Sequence, residues 1–247
     1  MMLIDTARGL LRLRGWDAVV AASIALLALV GAGFAVGWLV SYRSGERVYD
    51  APARVARVEL RVESGSVTVV GGTATPQVRV RREEASAFGR APAEHRSLTG
   101  RALRLTSSCP RVVVGDCSAS YRLTVPDDVD VDVTTGSGRV RLAGFHGSAT
   151  IHTDSGDVKV AAFCGFRLAA ATGSGRIQAV AACAPKSLEL SSVSGDADAV
   201  VPPGRYRVTA SSNTGRRRVA GLLSSRAARF RIDVRSRSGD VTVEGGL

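Results

Sequence analysis

The sequence is poor in aromatic residues, lysine and histidine. Of its 247 residues, 5% are Phe, Trp or Tyr, three are His, and lysine occurs only at Lys159 and Lys186, although the formal net charge is +11. Nucleic-acid binding normally combines basic residues with stacking aromatics, so this composition disfavours a nucleic-acid partner. The chain also lacks a Gly-x-Ser-x-Gly elbow, a Walker or Rossmann fingerprint and metal-binding histidine spacing. We therefore expect no cofactor, no metal and no enzymatic activity.

A short glycine-containing motif recurs six times in the second half of the chain, at steps of 18 to 24 residues. Each copy joins two runs of alternating apolar and polar residues through a glycine turn, as Val129–Val133 and Arg139–Leu142 flank Gly138. A further copy lies near residue 65. Glycine suits such turns because it accepts positive φ without a steric penalty. The predicted turn glycines are Gly65, Gly138, Gly156, Gly175, Gly195, Gly215 and Gly239.

This repeat predicts the fold class. Alternation with a period of two is typical of strands with one wet and one buried face. Two strands and two turns fit within about twenty residues, and units of that size bury their apolar faces by stacking. We therefore predict an all-β protein, a single-stranded β-solenoid (β-helix) whose coils lie about 4.8 Å apart, behind one N-terminal transmembrane helix.

The residue after each turn glycine alternates in charge. Opposite charges stacked on neighbouring coils would attract, whereas like charges would repel. We interpret the series as a structural charge ladder, since an acidic calcium stripe would have a shorter period and no arginine at every second site. The predicted ladder is Arg139, Asp157, Arg176, Asp196, Arg216 and Asp240.

The four cysteines fit the same register. Cys164 and Cys183 each follow a turn glycine by eight residues, so they should lie about 5 Å apart in adjacent coils, a separation that suits a disulfide. Cys109 and Cys117 bracket a short segment that a second disulfide would close. Zinc is an alternative for the first pair, because His146 occupies the equivalent position one coil earlier, although no fourth ligand is evident.

The N-terminal region contains a membrane-spanning pattern. Residues 18–40 carry no charge, and Trp16 and Trp38 lie near the two ends of this run, as expected of a transmembrane helix. A cleaved signal peptide is the alternative, but its apolar run is usually shorter. We divide the chain into a basic tail, this helix, a linker and a repeat domain with an irregular insertion projecting as a loop or short helix. The respective bounds are 1–17, 18–40, 41–53, 54–247 and, for the insertion, 82–118.

Charge and cysteine content indicate the orientation. The N-terminal flank of the span is slightly the more basic, which by the positive-inside rule places it in the cytoplasm. Disulfides persist outside the reducing cytosol, so we expect a single-pass protein of the cell membrane with an extracytoplasmic repeat domain. Gly33 and Gly37 form a small-residue face through which two helices could pair as a homodimer.

The repeat resembles a known family. Copies of strand–Ser/Thr-Gly-(Ser-Gly)-Asp/Arg–strand, such as those at Thr135–Val140 and Thr172–Ile177, resemble the bacterial putative-adhesin family of β-strand-repeat proteins. The resemblance covers residues 55–247, is densest over 129–245 and carries no catalytic signature. It implies a membrane-anchored or secreted β-solenoid. The stretch 82–118 departs from the even repeat.

These observations favour a non-enzymatic, membrane-anchored surface β-solenoid that serves in binding, adhesion or as an envelope scaffold. The run Arg216, Arg217 and Arg218 is the candidate patch for an anionic envelope polymer or a protein partner. One alternative is an accessory or sensor subunit of an envelope-stress system. Another is a carbohydrate-active β-helix enzyme using Asp130 and Asp132, which are more simply explained as the wet face of one strand.

Overall fold

The computed structural model describes residues 4–51, 54–72, 77–110 and 115–246. Parts of the predicted tail, linker and repeat domain (residues 1–3, 52–53 and 247), and most of the segment between Cys109 and Cys117, lie outside the described residues. The chain divides into two units, Met1–Tyr42 and Arg43–Leu247.

The first unit is a single helix. Helix α1 spans Ile4–Ser41, so it includes much of the predicted tail. Its segment Ala18–Ser41 is 24 residues long with a mean hydropathy of 2.5, which gives about 36 Å of apolar helix and exceeds the roughly 30 Å of a bilayer core. Gly33 and Gly37 lie on this segment, about one turn apart. The unit is therefore long and apolar enough to cross a membrane.

The second unit is built from strands, most of them short. Their bounds are β1 Arg43–Asp50, β2 Arg57–Ser64, β3 Val67–Val70, β4 Arg79–Ala87, β5 Ala93–Thr99, β6 Ala102–Ser108, β7 Asp116–Thr124, β8 Asp130–Ser137, β9 Val140–Ala143, β10 Ala149–Ser155, β11 Val158–Phe163, β12 Arg167–Ser174, β13 Ile177–Ala181, β14 Ser187–Ser194, β15 Ala197–Val201, β16 Arg205–Ser212, β17 Arg217–Ala220, β18 Leu223–Ser224, β19 Phe230–Ser238 and β20 Val241–Gly245.

The strands form two ten-stranded sheets. Sheet A has the order β1-β4-β7-β3-β9-β11-β13-β15-β20-β17, and sheet B has the order β18-β16-β19-β14-β12-β10-β8-β2-β6-β5. Each repeat gives its first strand to sheet B and its second to sheet A, and neighbouring coils pair in parallel, as Val158 does with Val140 and Ile177. The predicted β-solenoid is confirmed.

Alternate residues of each strand build one continuous core. In β10 the side chains of Ala149, Ile151 and Thr153 are buried, whereas those of Thr150 and His152 are exposed. The core cluster runs from Ala51 to Val243 and so lies wholly within the second unit. Both disulfides lie there as well. Residues 43–247 therefore contain the described core and both disulfides.

Antiparallel strands close the first end of the solenoid. Strand β4 pairs antiparallel with β7, β5 with β6, and β1 with β4. The segment predicted as an irregular insertion thus consists mainly of strands, and the predicted linker contains β1. Alternation is weak in β1, and charged residues pair across β1 and β4, with Arg79 Nε 2.8 Å from Asp50 Oδ1 and Arg81 Nη2 2.8 Å from Glu46 Oε2.

A polar cluster joins the strands of this cap. The carboxylate of Glu94 accepts hydrogen bonds from the hydroxyls of Tyr49 (2.8 Å) and Tyr121 (3.1 Å). Arg96 lies 3.5 Å from Glu94 and over the Tyr49 ring at 4.2 Å. Burial raises the pKa of the Tyr121 phenol from its ordinary value to about 12. The cluster links β1, β5 and β7.

The stacking order departs from the chain order at both ends. The coil of β2 and β3 lies beside that of β8 and β9, and the later coil of β6 and β7 lies outside it. At the far end, β19 and β20 insert between the coil of β14 and β15 and that of β16 and β17. The connection 221–229 contains the edge strand β18 and leads from β17 at the end of the stack back to the inserted strand β19.

Candidate binding surface

The turn glycines form a column along one edge of the solenoid. Gly138, Gly156 and Gly175 have φ values of 136°, 145° and 141°. A Cβ atom on Gly156 would lie within 3.0 Å of the Gly138 carbonyl oxygen, and each of the other predicted turn glycines meets the backbone of a neighbouring coil in the same way. Backbones therefore touch at these turns and leave no cleft between the coils.

A buried column of hydroxyl groups supports the turns. Thr172, Ser192 and Ser236 donate hydrogen bonds to the carbonyl oxygens of turn glycines in the adjacent coil, at 3.1, 3.2 and 2.9 Å. Each lies three residues before the turn glycine of its own coil. That regular spacing is a signal in the sequence from which this structural role could have been predicted.

The charge ladder has a different order in space from its order in the sequence. Because β20 inserts beside β15, the spatial series is Arg139, Asp157, Arg176, Asp196, Asp240 and Arg216. The strict alternation predicted from the sequence therefore fails at Asp196 and Asp240. The chain tolerates this contact because Asp196 accepts the backbone N–H of Asp240 at 3.0 Å, and each carboxylate binds its own arginine.

Aspartates of the ladder also bind the backbone of the next coil. Asp157 Oδ1 accepts the Arg176 N–H at 3.0 Å, and Asp240 Oδ1 accepts the Arg216 N–H at 2.8 Å. The backbone and side-chain hydrogen bonds from Arg216 lower the pKa of Asp240. The ladder thus fastens successive turns.

We expect Asp240→Asn to weaken the acid sensitivity of the solenoid. Because the pKa of Asp240 is lower in the folded state than its ordinary value of 3.8, its ionised carboxylate stabilises the fold. This stabilisation is fully present above pH 3.8 and is lost as the pH falls through the folded-state pKa. Urea unfolding of residues 43–247 between about pH 2 and 6 should therefore give a shallower acid decline for the variant. Asp132→Asn, which removes an exposed carboxylate from sheet B, is the control. Equal slopes for the parent and Asp240→Asn would contradict the prediction.

The predicted arginine patch is not brought together on one face. Arg216 forms a two-pronged contact with Asp240 (3.0 and 3.2 Å), and Arg218 Nε lies 3.5 Å from Glu244. Arg217 is the register partner of Val241, which is buried, and therefore lies on the opposite side of β17 from Arg218. Two of these three cations are therefore neutralised within the fold, and the third is set apart from them.

The structure joins both predicted cysteine pairs. Disulfides connect Cys109 to Cys117 and Cys164 to Cys183, with Cα separations of 5.9 and 4.6 Å. Because Cys164 and Cys183 form a disulfide, they offer no thiolates for zinc. His146 Nδ1 instead lies 3.0 Å from Asp127 Oδ1 at the surface.

A basic groove crosses the outer face of sheet A. It has a volume of about 530 Å³ and is lined by four cations and two carboxylates. Arg176 binds Asp196 at 2.8 Å. The other three cations, Arg139, Arg141 and Lys159, are exposed and have no ion pair among the described residues. Apart from the place of Arg139 in the ladder, sequence reasoning missed this cluster, although the alternating cations of two successive repeats could have indicated it.

A smaller groove of about 310 Å³ lies on the outer face of sheet B. Its floor is formed by Ala169 and Ala171, which are smaller than the residues on either side. Its polar walls include Glu189 and His152, the latter 3.5 Å from Asp154. This groove is shallow and open. Asp130, the acid of the enzyme alternative, lies outside it and accepts the Ser148 N–H at 3.0 Å, a structural contact.

Comparisons with known proteins agree with the fold. The crystal structure of a putative cell adhesion protein from Clostridium sporogenes ATCC 15579 matches with a TM-score of 0.52 at 10% identity, over 83% of this chain and 100% of that one. A putative adhesin from Bacteroides fragilis NCTC 9343 matches with a TM-score of 0.44 at 10% identity, over 83% and 97%. At 10% identity the likeness to the Clostridium sporogenes structure concerns the fold alone.

No curated protein matches the chain. The resemblance to β-strand-repeat adhesins is nevertheless confirmed, because residues 55–244 match one family over most of the chain. The glycine column, the parallel coils and this match lead to one conclusion: the chain belongs to the Toastrack DUF4097 family.

Proposed function

We propose that this protein is a membrane-anchored, non-enzymatic scaffold of the cell surface that binds an extended ligand along an outer face of the solenoid. The observation that carries the proposal is the registry of the parallel strands. Eight neighbouring strands of sheet A, from β7 to β17, are parallel, so outward side chains repeat every 4.8 Å or so across a broad face. A long ligand can contact such rows many times.

The apolar helix and the disulfides support the cellular placement. A segment of 24 apolar residues is long enough to hold the chain in a bilayer as an uncleaved anchor. Two disulfides in the solenoid unit favour an oxidising compartment outside the cytosol. Together they support an extracytoplasmic solenoid tethered to the cell membrane, where a binding face meets envelope material.

The proposal is tested with residues 43–247, which contain the whole core. This fragment should sediment saturably with envelopes isolated from cells that lack the protein, and should release no soluble fragment from them. The same fragment unfolded by reduction and urea serves as the control. Failure to sediment would contradict the binding role, and release of fragments that Asp130→Asn or Asp132→Asn abolishes would favour the enzyme alternative.

A further inference from the structure

We infer that the basic groove of sheet A is a binding site for a linear polyanion bearing phosphate groups, and that Arg139, Arg141 and Lys159 form it. The inference rests on the proposed binding function and specifies its ligand class and its location. It begins from a charge arrangement that does not help the fold.

Arg141 and Lys159 are direct register partners on β9 and β11. Their backbones lie about 4.8 Å apart, and like charges directly opposite each other destabilise a sheet. Arg139 lies two residues before Arg141 on the same face of the chain. Three cations thus lie close together, and none of them forms an ion pair among the described residues.

Several other arginines on or beside sheet A form ion pairs. Arg79 and Arg81 contact Asp50 and Glu46 at 2.8 Å, and Arg176 contacts Asp196 at the same distance. The fold therefore has the means to pair a surface arginine and does so beside the groove. A cluster of unpaired cations in one groove is typical of a surface that receives its counter-charge from a ligand.

The two carboxylates in the groove are already engaged. Asp157 accepts the backbone N–H of Arg176, and Asp196 binds the Arg176 guanidinium and the Asp240 N–H. With Arg176 paired to Asp196, the three remaining cations share the groove with the single negative charge of Asp157, so four cations and two carboxylates leave a net charge of +2. Gly175 and Gly195 line one side of the groove.

The groove continues as a polar row across the sheet. In register order the row is Arg122, Thr68, Arg141, Lys159 and Gln178. Five strands at a spacing of about 4.8 Å give a track of roughly 19 Å, which is longer than a single small anion. Arg122 also has no ion pair among the described residues and adds a fourth cation at one end.

The lining chemistry indicates the ligand. Arginine presents a planar fork of N–H donors that matches phosphate oxygens in pairs. No aromatic ring is among the residues that line the groove, so the base-stacking platform that single-stranded nucleic acids use is missing there. A chain of phosphate groups without bases therefore fits the track best.

The probe for the test is inorganic polyphosphate, titrated into residues 43–247 at several salt concentrations. We expect saturable binding that weakens about tenfold or more in the Arg139→Gln/Arg141→Gln/Lys159→Gln triple variant, with the slope of log K against log salt reduced by roughly two to three. The matched control, Arg216→Gln/Arg217→Gln/Arg218→Gln, removes the same charge from the predicted arginine patch and should bind nearly as the parent does.

Stability measurements separate lost binding from lost folding. Because the first triple removes like charges that face each other, its melting temperature should equal or exceed that of the parent. Equal weakening in both triples, or weakening only in the control, would overturn the site. Preferential binding of phosphatidylglycerol vesicles would identify a lipid surface instead, and preferential binding of polygalacturonate would identify a carboxylate polymer; either result overturns the ligand class.

The envelope assay distinguishes this inference from the general function. If the parent fragment sediments with envelopes and the groove triple does so equally well, the binding function stands and the groove assignment falls. If the parent does not sediment at all, the proposed function itself fails. Weakened sedimentation of the groove triple alone supports both.

Discussion

Replacing Gly156 with alanine should lower the free energy of unfolding of the solenoid unit by about 3 kcal/mol or more. Two independent costs combine at this position. The backbone has a φ of 145°, which a residue with a Cβ rarely adopts, and the new methyl group would lie within 3.0 Å of the Gly138 carbonyl oxygen. Relief would require neighbouring coils to separate at the turn, and the strands beside it would lose their register.

Urea unfolding of residues 43–247 measures this loss. Gly100→Ala is the matched control, because Gly100 also has a positive φ (60°) but a methyl group added there would meet nothing within 4 Å. It should cost about 1 kcal/mol, the penalty of the left-handed conformation alone. If the two variants lost the same stability, close contact between the turns would not be what requires glycine at 156.

Truncating Phe163 to alanine should cost about 3–5 kcal/mol, the usual range for a buried phenylalanine. Phe163 is fully buried, and its ring lies 6.4 Å from that of Phe145 in the adjacent coil. It also packs beneath Gly165, where an added Cβ would meet the ring. The substitution would leave a cavity between stacked coils that the β-strand backbones on either side cannot close.

Phe166 supplies the control only three residues away. Its side chain is 57% exposed and stacks under the Lys186 ammonium at 4.8 Å. Phe166→Ala should therefore change the free energy of unfolding by less than about 1 kcal/mol. Similar losses for the two variants in the same unfolding experiment would show that the inner face of this coil is not the packed core described above.

The repeating part of the fold could be predicted from the sequence because each coil carries its own local signals. The alternation in Asp157–Val160 and the glycine at 156 specify a strand and a turn without reference to distant residues. The pairing of Cys164 with Cys183 followed from the same periodicity. These signals are short in range and occur in successive units, which is why the strands, the turns and this disulfide could be predicted from them.

The two ends could not be predicted in the same way. Nothing in the period tells whether the unit after Gly215 lies outside or inside its predecessor, so the ladder order of Asp240 and Arg216 was predicted in reverse. Strands β1 and β4 pair antiparallel, and their cross-strand ion pairs, such as that of Arg79 with Asp50, become visible only when the register is known. The unpaired cations of the groove depend on the register too.

The inserted coil makes the strand pairing of the far end depend on residues that come later in the chain. Within the described residues, β17 pairs only with β20, and β16 pairs with β19 and the two-residue β18. Residues 205–220 therefore have almost no strand partner among the described residues until residues 230–245 pair with them. In a chain synthesised from its N-terminus, the edges of β14 and β15 would stay unpaired until β19 and β20 are made. A chain interrupted before that point would present this open edge to other polypeptides.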